Sequence, residues 1–341
     1  MTSTNAPRGQ REGSWQLLDQ LEKAPGFQIL GDTLADLTDE GHPVAVCTAD
    51  LKYSNGLVRY QERHPNRFIQ FGISEQNMVS ASSGVATTGL KPYVATFASF
   101  LALLCCEQIR TDVAYGAQPV RLIGHHSGIT LGFYGTTHHA TEDLAIMRSI
   151  ADLSVVAPAD PASLDAALRT TVELDGPIYF RIGRGREPEV YPMGDMAFEL
   201  GKAVVHSHGE DITLVATGSM VHPSLAAAEA LREEGLSVGV IDVHTIKPLD
   251  EEAIREAAGS TSALITVEEH NVLGGLGGAV SEVLSEASTN TPLHRHGIRD
   301  EYSLIGPPTH LYSHYRLDAD GIAEEARRFL GTRYASTDTE Q

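Results

Sequence analysis

One glutamate and four histidines are the side chains of this 341-residue chain best suited to moving protons. Glu75 lies in FGISEQNMV (71–79), between a short apolar run and a segment of small residues typical of a packed helix. Taken alone it is ordinary, because the helix dipole favours a negative charge at a helix start. His125, His126, His138 and His139 fall within 15 residues of one another. They raise two possibilities, a metal site or a group of proton-transferring side chains.

The spacing of the histidines argues against zinc. Two His-His pairs with no accompanying cysteine do not match the usual spacing of zinc ligands, so we expect no metal ligand among them. A nucleotide site is also disfavoured. GGLGGAV (274–280) follows a predicted strand and opens a helix, but it lacks the G-x-G-x-x-G spacing and indicates close helix packing instead.

Alternating strands and helices must position these side chains. The predicted strands of the first half are 44–50, 91–97, 119–126, 153–160 and 177–183, and the predicted helices are 77–89, 100–115, 140–150 and 161–174. This alternation is typical of an α/β fold with a parallel sheet covered by helices on both faces. In such a sheet, functional residues follow the carboxyl ends of the strands.

The chain divides at a stretch that contains Pro and Gly and has no clear period. We place a linker at 191–202, a first α/β domain at 15–190 and a smaller α/β domain at 203–335. Residues 1–14 are polar and are assigned to a flexible tail.

Composition limits the classes of partner. Asp and Glu total 45 against 25 Lys and Arg, a formal charge of −20. Phosphate backbones and anionic lipids repel such a chain, so we expect no nucleic-acid and no membrane partner. No apolar run reaches the roughly 18 residues of a membrane span. The N-terminus lacks the apolar region of a secretory signal, and three cysteines are no disulfide framework. We expect a cytoplasmic protein.

Five segments in order resemble a known family. They are FGISEQNM, KPYVATFASF, HHSGITLGFYGTTHHATEDLAIMRSI, VVAPADP and DGPIYFRIGR. Together they resemble the pyrimidine-binding domain of the transketolase family of thiamine-diphosphate enzymes. VIDVHTIKPLD and ITVEEHNVLGGLGGAV are similar to that family's C-terminal domain. The resemblance covers about 20–330 and implies a pyrimidine-binding domain followed by a transketolase C-terminal domain.

The resemblance implies roles at the cofactor. Glu75 would hydrogen-bond N1′ of the aminopyrimidine of thiamine diphosphate and so favour removal of the C2 proton. Phe97 would stack on the pyrimidine, with Phe100 as its neighbour, although core packing would explain both rings equally well. Asp50 would lie near the cofactor, and the alternative for it is a loop cap.

The resemblance also implies roles toward the substrate. His126 and His138 match two channel histidines that bind sugar oxygens and help to move protons. His139 matches less clearly, and His125 is expected to face elsewhere. Arg184 in DGPIYFRIGR matches a family arginine that binds the sugar-phosphate tail, and the alternative for it is a surface arginine. Ser54 in TADLKYSN matches a serine that contacts the phosphate.

One departure from the family concerns the diphosphate of the cofactor. Transketolases bind it with Mg²⁺ through a G-D-G motif and a following Asn, but GDT (31–33) and GDM (194–196) lack these residues. The resemblance therefore implies the small subunit of a split transketolase. A partner chain with the N-terminal domain would supply the diphosphate and Mg²⁺ site, and two copies of each chain would form an α2β2 heterotetramer.

The other departure concerns the substrate. Ordinary transketolases have an acidic pair just before the Gly that precedes the second channel histidine, and this chain has Phe133 and Tyr134 there. A family arginine expected near 31–32 is replaced by Gly31 and Asp32. We therefore expect Tyr134 to contact a sugar other than the usual pentose phosphates.

The sequence thus predicts a subunit that transfers a two-carbon ketol unit from a ketose to an aldehyde. One alternative is the β subunit of a 2-oxo acid dehydrogenase E1 component. That family usually has a Tyr-His-Ser-Gln-like stretch where this chain has GTTHHATED. Another alternative is a regulatory subunit that kept the fold, because fold alone does not establish activity.

Overall fold

The structure is a computed structural model that describes residues 25–287 and 289–337, so the predicted tail at 1–14 lies outside it. In chain order the strands are β1 (Val44–Thr48), β2 (Phe68–Gln70), β3 (Lys91–Phe97), β4 (Arg121–His125), β5 (Ser154–Val156), β6 (Ile178–Arg181), β7 (Val204–Ser207), β8 (Ile212–Ala216), β9 (Val238–Asp242), β10 (Thr245–Lys247), β11 (Leu264–Asn271) and β12 (Leu293–Ile298).

Helices connect most of these strands. The α-helices are Ile29–Asp39, Val58–Arg63, Glu75–Ala86, Asp143–Ser149, Pro161–Thr171, Val221–Glu233, Glu251–Ser260, Leu276–Glu286, Pro308–His314 and Ala319–Thr337. Short 3₁₀ turns occur at Pro25–Gln28, Pro65–Arg67, Gly132–Thr137 and Gly218–Met220. No helix in the described ranges is long and apolar enough to cross a bilayer.

The helix predicted at 100–115 has an irregular form. Two π-helical pieces, Phe100–Leu104 and Ile109–Ala114, flank a short α-helical piece at Cys106–Gln108. The spacing of apolar residues does not predict the wider turn of a π-helix. Short π-helical segments are frequent at functional sites. This one carries Phe100.

Two sheets form the frame. The first has the order β10-β5-β6-β4-β3-β1-β2, and all of its pairings are parallel except that of β10. The second has the order β12-β11-β8-β9-β7, in which β7 is antiparallel. Every residue of β1 and β3 is buried, as expected of parallel strands covered on both faces. The predicted α/β fold is confirmed.

Residues 237–250 contribute a strand to each sheet. Their first part forms β9 in the second sheet, and their last part forms β10, which pairs with β5 in the first. The two halves of the chain are therefore joined by main-chain hydrogen bonds as well as by side chains.

Candidate active site

The candidate site lies where strands of the first sheet end. β3 and β4 are parallel neighbours, and their last residues, Phe97 and His125, are register partners. His126 follows directly and lies beside Phe97, with ring centroids 4.6 Å apart. The carboxyl ends of parallel strands share one edge of the sheet, which is where ligands bind in folds of this class.

Five rings form an aromatic enclosure at this edge. Its members are Phe97, Phe100, His126, Tyr134 and His138. Phe97 lies 5.5 Å from Phe100 and 5.8 Å from His138 between ring centroids. His138 lies 5.2 Å from Phe100 and 4.8 Å from Tyr134. Five residues that the sequence predicts for the cofactor and substrate thus meet in one place.

Glu75 begins the helix Glu75–Ala86 and is 8% exposed. Its carboxylate accepts a long hydrogen bond of 3.5 Å from the hydroxyl of Thr96, the residue before Phe97. Cys105 lies near Glu75, and burial together with the Glu75 charge raises the pKa of its thiol to about 12. A buried carboxylate held by one long bond retains the capacity to bind a ring nitrogen of a ligand.

His126 has an unusual backbone. Its φ is 58°, in the left-handed region that residues other than Gly rarely adopt. The segment just after β6 holds it there, because His126 N–H donates to Gly183 O at 3.2 Å and Ser127 N–H to Ile182 O at 3.1 Å. Strain of this kind concentrates at functional sites. Asp50 shares it, with φ 62°.

His125 lies outside the aromatic enclosure, as expected of a residue that faces elsewhere, but its ring packs against that of His126. Its Nδ1 lies 2.6 Å from Nδ1 of His126, and both rings are almost fully buried. Burial lowers the pKa of His125 to about 3, helped by the charge of Arg184. Burial also lowers the pKa of His126 well below its usual value, and His125, Arg184 and His138 lower it further.

The loop between these histidines is fixed from the second half of the chain. Gly128 and Ala140 pair as an isolated antiparallel bridge, and the carboxylate of Glu269 lies beneath the loop. Glu269 accepts hydrogen bonds from Ile129 N–H at 2.7 Å and from the hydroxyls of Tyr312 and Ser219 at 2.8 Å. A Cβ on Gly128 would lie 2.2 Å from that carboxyl carbon, so this position requires glycine.

A buried ion pair supports the same loop. Arg181 Nε donates to the two oxygens of Asp143 at 3.1 and 3.0 Å, and both side chains are almost fully buried. Arg181 Nη2 also donates to Ala140 O at 3.2 Å and to Glu269 O at 2.7 Å. His139 also contacts the second half of the chain, because its Nδ1 lies 2.5 Å from Oγ of Ser303.

Arg184 is buried, which is against its interpretation as a surface arginine. Its Nη1 donates to Thr130 O at 3.1 Å, whereas the buried Nε has no hydrogen-bond partner among the described residues. Burial and the nearby charge of Arg186 lower its pKa to about 10. Tyr134 and Tyr312 also lie near it. A guanidinium with an unpaired Nε–H near Tyr134 of the enclosure is suited to an anionic group.

Asp50 and Ser54 belong to a separate loop after β1. Asp50 is exposed, and its N–H donates to Gln70 Oε1 at 2.7 Å; Ser54 is half-buried. Neither belongs to the aromatic enclosure. Next to Ser54, Asn55 is fully buried, and neither atom of its amide has a described partner. Sequence reasoning missed Asn55, although an Asn inside a loop of a candidate site is a usable signal.

Two further clusters bear on ligand chemistry. Asp32 lies where the family is expected to have an arginine. It accepts a 2.6 Å hydrogen bond from Arg59, so a guanidinium from another part of the chain lies in this region. His294, His296 and Glu325 have ligand atoms within 4.8 Å of one another. Both oxygens of Glu325 are bound by arginines, Arg316 and Arg328, which leaves it poorly suited to a cation.

Comparisons with known proteins find matches over most of the chain. Residues 23–188 match the family described as "Transketolase, pyrimidine binding domain", and residues 201–322 match "Transketolase, C-terminal domain". A "Putative transketolase C-terminal section" of Methanocaldococcus jannaschii is 38% identical over 86% of this chain and 92% of its own length.

Two further relatives carry substrate names. One subunit of an apulose-4-phosphate transketolase, from Phocaeicola vulgatus, is 37% identical over 88% of this chain and 95% of that protein. The "6-deoxy-6-sulfo-D-fructose transketolase subunit SqwH" of a Clostridium species is 36% identical over 86% of this chain and 91% of its own length. A solved structure, "Split gene transketolase, inactive beta4 tetramer", superposes with a TM-score of 0.82 at 36% identity and covers 89% of this chain and 97% of that one.

Proposed function

Because this chain belongs to the transketolase family and corresponds to the C-terminal subunit of a split enzyme, we propose that Glu75, His126 and His138 form its share of the catalytic site. With its partner it transfers a two-carbon ketol unit from a ketose to an aldehyde. The observation that supports the assignment of residues is the aromatic enclosure, which brings both histidines to Phe97, the residue after Thr96, whose hydroxyl binds the buried carboxylate of Glu75.

The residues of the enclosure fit the pyrimidine of thiamine diphosphate. The ring of Phe97 offers a face for stacking, Phe100 closes the side, and the buried Glu75 can bind a ring nitrogen. When bound, the cofactor supplies the nucleophilic carbon that splits and forms carbon–carbon bonds. Glu75 would form a hydrogen bond with that ring nitrogen, and its low exposure to water strengthens such an interaction. His126 and His138 hydrogen-bond substrate oxygens, and the surrounding rings exclude water.

The diphosphate and Mg²⁺ are held mainly by a partner subunit. The sequence contains no G-D-G motif, and both relatives with substrate names are called subunits. The assembly is an α2β2 heterotetramer. Its compartment is the cytoplasm, since all three cysteines are free thiols and two of them, Cys47 and Cys105, are buried.

The substrate is a modified sugar with an anionic tail. Phe133 and Tyr134 replace the acidic pair of ordinary transketolases; Phe133 is 52% exposed, and Tyr134 contacts His138. Arg184 has a buried Nε–H without a partner among the described residues, and its guanidinium can bind an anion. The two relatives named above act, by their names, on a sugar phosphate and a sulfonated sugar, both of which carry such a tail.

Calorimetry and turnover test this function. The chain should bind thiamine diphosphate with Mg²⁺ only when it is mixed with a partner that carries G-D-G. In the reconstituted complex, Glu75→Gln should abolish ketol transfer, whereas Glu229→Gln, a matched change on the exposed face of helix Val221–Glu233, should not. Unchanged turnover of the Glu75 variant would contradict the catalytic role. Normal turnover of xylulose 5-phosphate with ribose 5-phosphate would contradict the modified sugar.

A further inference from the structure

Two adjacent histidines lie ring against ring at the carboxyl end of β4. Neighbouring residues of a strand normally point to opposite faces. The left-handed backbone of His126, with φ 58°, breaks this alternation and brings its ring against that of His125. The ring centroids are 4.5 Å apart, and the two Nδ1 atoms are separated by 2.6 Å.

That distance requires one proton between the two nitrogens. Two Nδ1–H groups would collide, and two lone pairs would repel each other. One ring must therefore donate from Nδ1 while the other accepts at Nδ1. In a neutral pair the tautomers are then complementary, because the accepting ring carries its own proton on Nε2.

Both rings are held in the neutral form. Burial lowers the pKa of each, and the charged or titratable groups that face His126 are His125, Arg184 and His138. On the far side, His125 meets the edge of Phe27, with ring centroids 6.3 Å apart. On the near side, His126 meets Phe97 in the aromatic enclosure at 4.6 Å. Only His126 of the pair belongs to the enclosure.

We propose that His125 is a positioning residue, which donates its Nδ1–H to His126 and thereby fixes His126 as the tautomer with a proton on Nε2. The direction of donation rests on the proposed function. The carbonyl oxygens of a ketose and of an aldehyde only accept hydrogen bonds, so the side chain that polarises them must present a donor. The opposite tautomer would present a lone pair to the substrate.

Two variants of His125 separate positioning from packing. His125→Asn retains an N–H that can donate to Nδ1 of His126, and His125→Phe fills the space without a donor. With the partner subunit present, the Phe variant should lose about ten- to a hundred-fold in kcat/KM, the range found when a group that orients a metal-binding histidine is removed. The Asn variant should restore most of that loss.

The pH profile gives a second measure. In the Phe variant, Nδ1 of His126 is free to take a proton, so kcat/KM should fall on the acidic side at a higher pH than in the wild type. His244→Phe is the matched control. His244 is a buried histidine in the second half of the chain that binds Thr245, and its loss should leave the shape of the profile unchanged. Equal losses in both His125 variants, or an unmoved acid limb, would overturn the inference.

A measurement without turnover separates this inference from the proposed function. In the full chain with ¹⁵N-labelled histidine, NMR should show His126 protonated at Nε2 and unprotonated at Nδ1. His125→Phe should convert this signal into a mixture of tautomers. Protonation of His126 at Nδ1 in the wild type would refute the role of His125, whatever the activity. Absence of ketol transfer by the wild-type complex would instead refute the proposed function and leave the NMR result standing.

Discussion

Replacing Arg181 by methionine should destabilise the protein strongly. Methionine retains most of the length of the side chain but leaves Asp143 buried with its hydroxyl partner Tyr179 and without its cation. Four hydrogen bonds from the guanidinium are lost, two to Asp143 and one each to Ala140 and Glu269 main-chain oxygens. Breaking a buried ion pair by removing one partner costs about 3–5 kcal/mol. We therefore expect Arg181→Met to lower the free energy of unfolding by that amount.

The loss of stability in the Arg181→Met variant should depend on pH in a defined direction. Burial raises the pKa of Glu268 and Glu269 above 4.5, and the charge of Arg181 opposes that rise. For an acid whose folded pKa is raised, stability falls as pH increases from the unfolded pKa to the folded one. Without Arg181 the folded pKa values rise further, and this interval extends upward. The variant should therefore be less destabilised at pH 5 than at pH 8.

Urea denaturation followed by far-UV circular dichroism at both pH values measures these effects. A matched double variant, Arg181→Met with Asp143→Leu, should recover about 1–3 kcal/mol relative to Arg181→Met, because no buried carboxylate remains at residue 143. A loss below about 1 kcal/mol at pH 8 would refute the reasoning, since it falls outside the range for a buried pair. So would a larger loss at pH 5 than at pH 8.

Two further predictions concern stability. Gly31→Ala should lower the free energy of unfolding by about 1–3 kcal/mol, because the added Cβ would lie 2.2 Å from a main-chain oxygen. Gly84 is exposed in a helix, and a Cβ there would have no neighbour within 4 Å, so Gly84→Ala should raise the free energy of unfolding by about 0.5–1 kcal/mol. Urea denaturation midpoints compare the two variants with the wild type. Burial raises the pKa of Asp242 from 3.8 to about 7, so the wild type should lose stability as pH rises between these values. Asp242→Asn should flatten this slope in thermal unfolding scans, and an unchanged slope would show that another group causes it.

The sequence was informative wherever chemistry followed local pattern. Strand ends could be located from β-branched runs, and the residues after them could be expected to meet, as Phe97, His126 and His138 do. The irregular helix could not be foreseen, because π-helical turns leave no clear period in a short apolar segment.

Other features depended on long-range contacts. The contact between His125 and His126 could not be foreseen, because the left-handed backbone of His126 is held by hydrogen bonds to the segment just after β6, far along the chain. The sequence alone assigns Glu269 no role, and its place beneath the histidine loop follows from packing between the two halves. A buried acid within a strand is a signal that could have marked it, since such groups are rarely left without partners.

The pairing of β10 with β5 has a consequence for any attempt to divide this chain. A fragment that ends at the predicted linker would lack β10 and would present β5 as an open edge of the first sheet. Exposed edges recruit strands from other molecules, so such a fragment should be prone to aggregation. The second fragment would carry β10 with no sheet to join. Expression of the halves as a mixed pair, rather than one at a time, is therefore the route by which their separate properties could be studied.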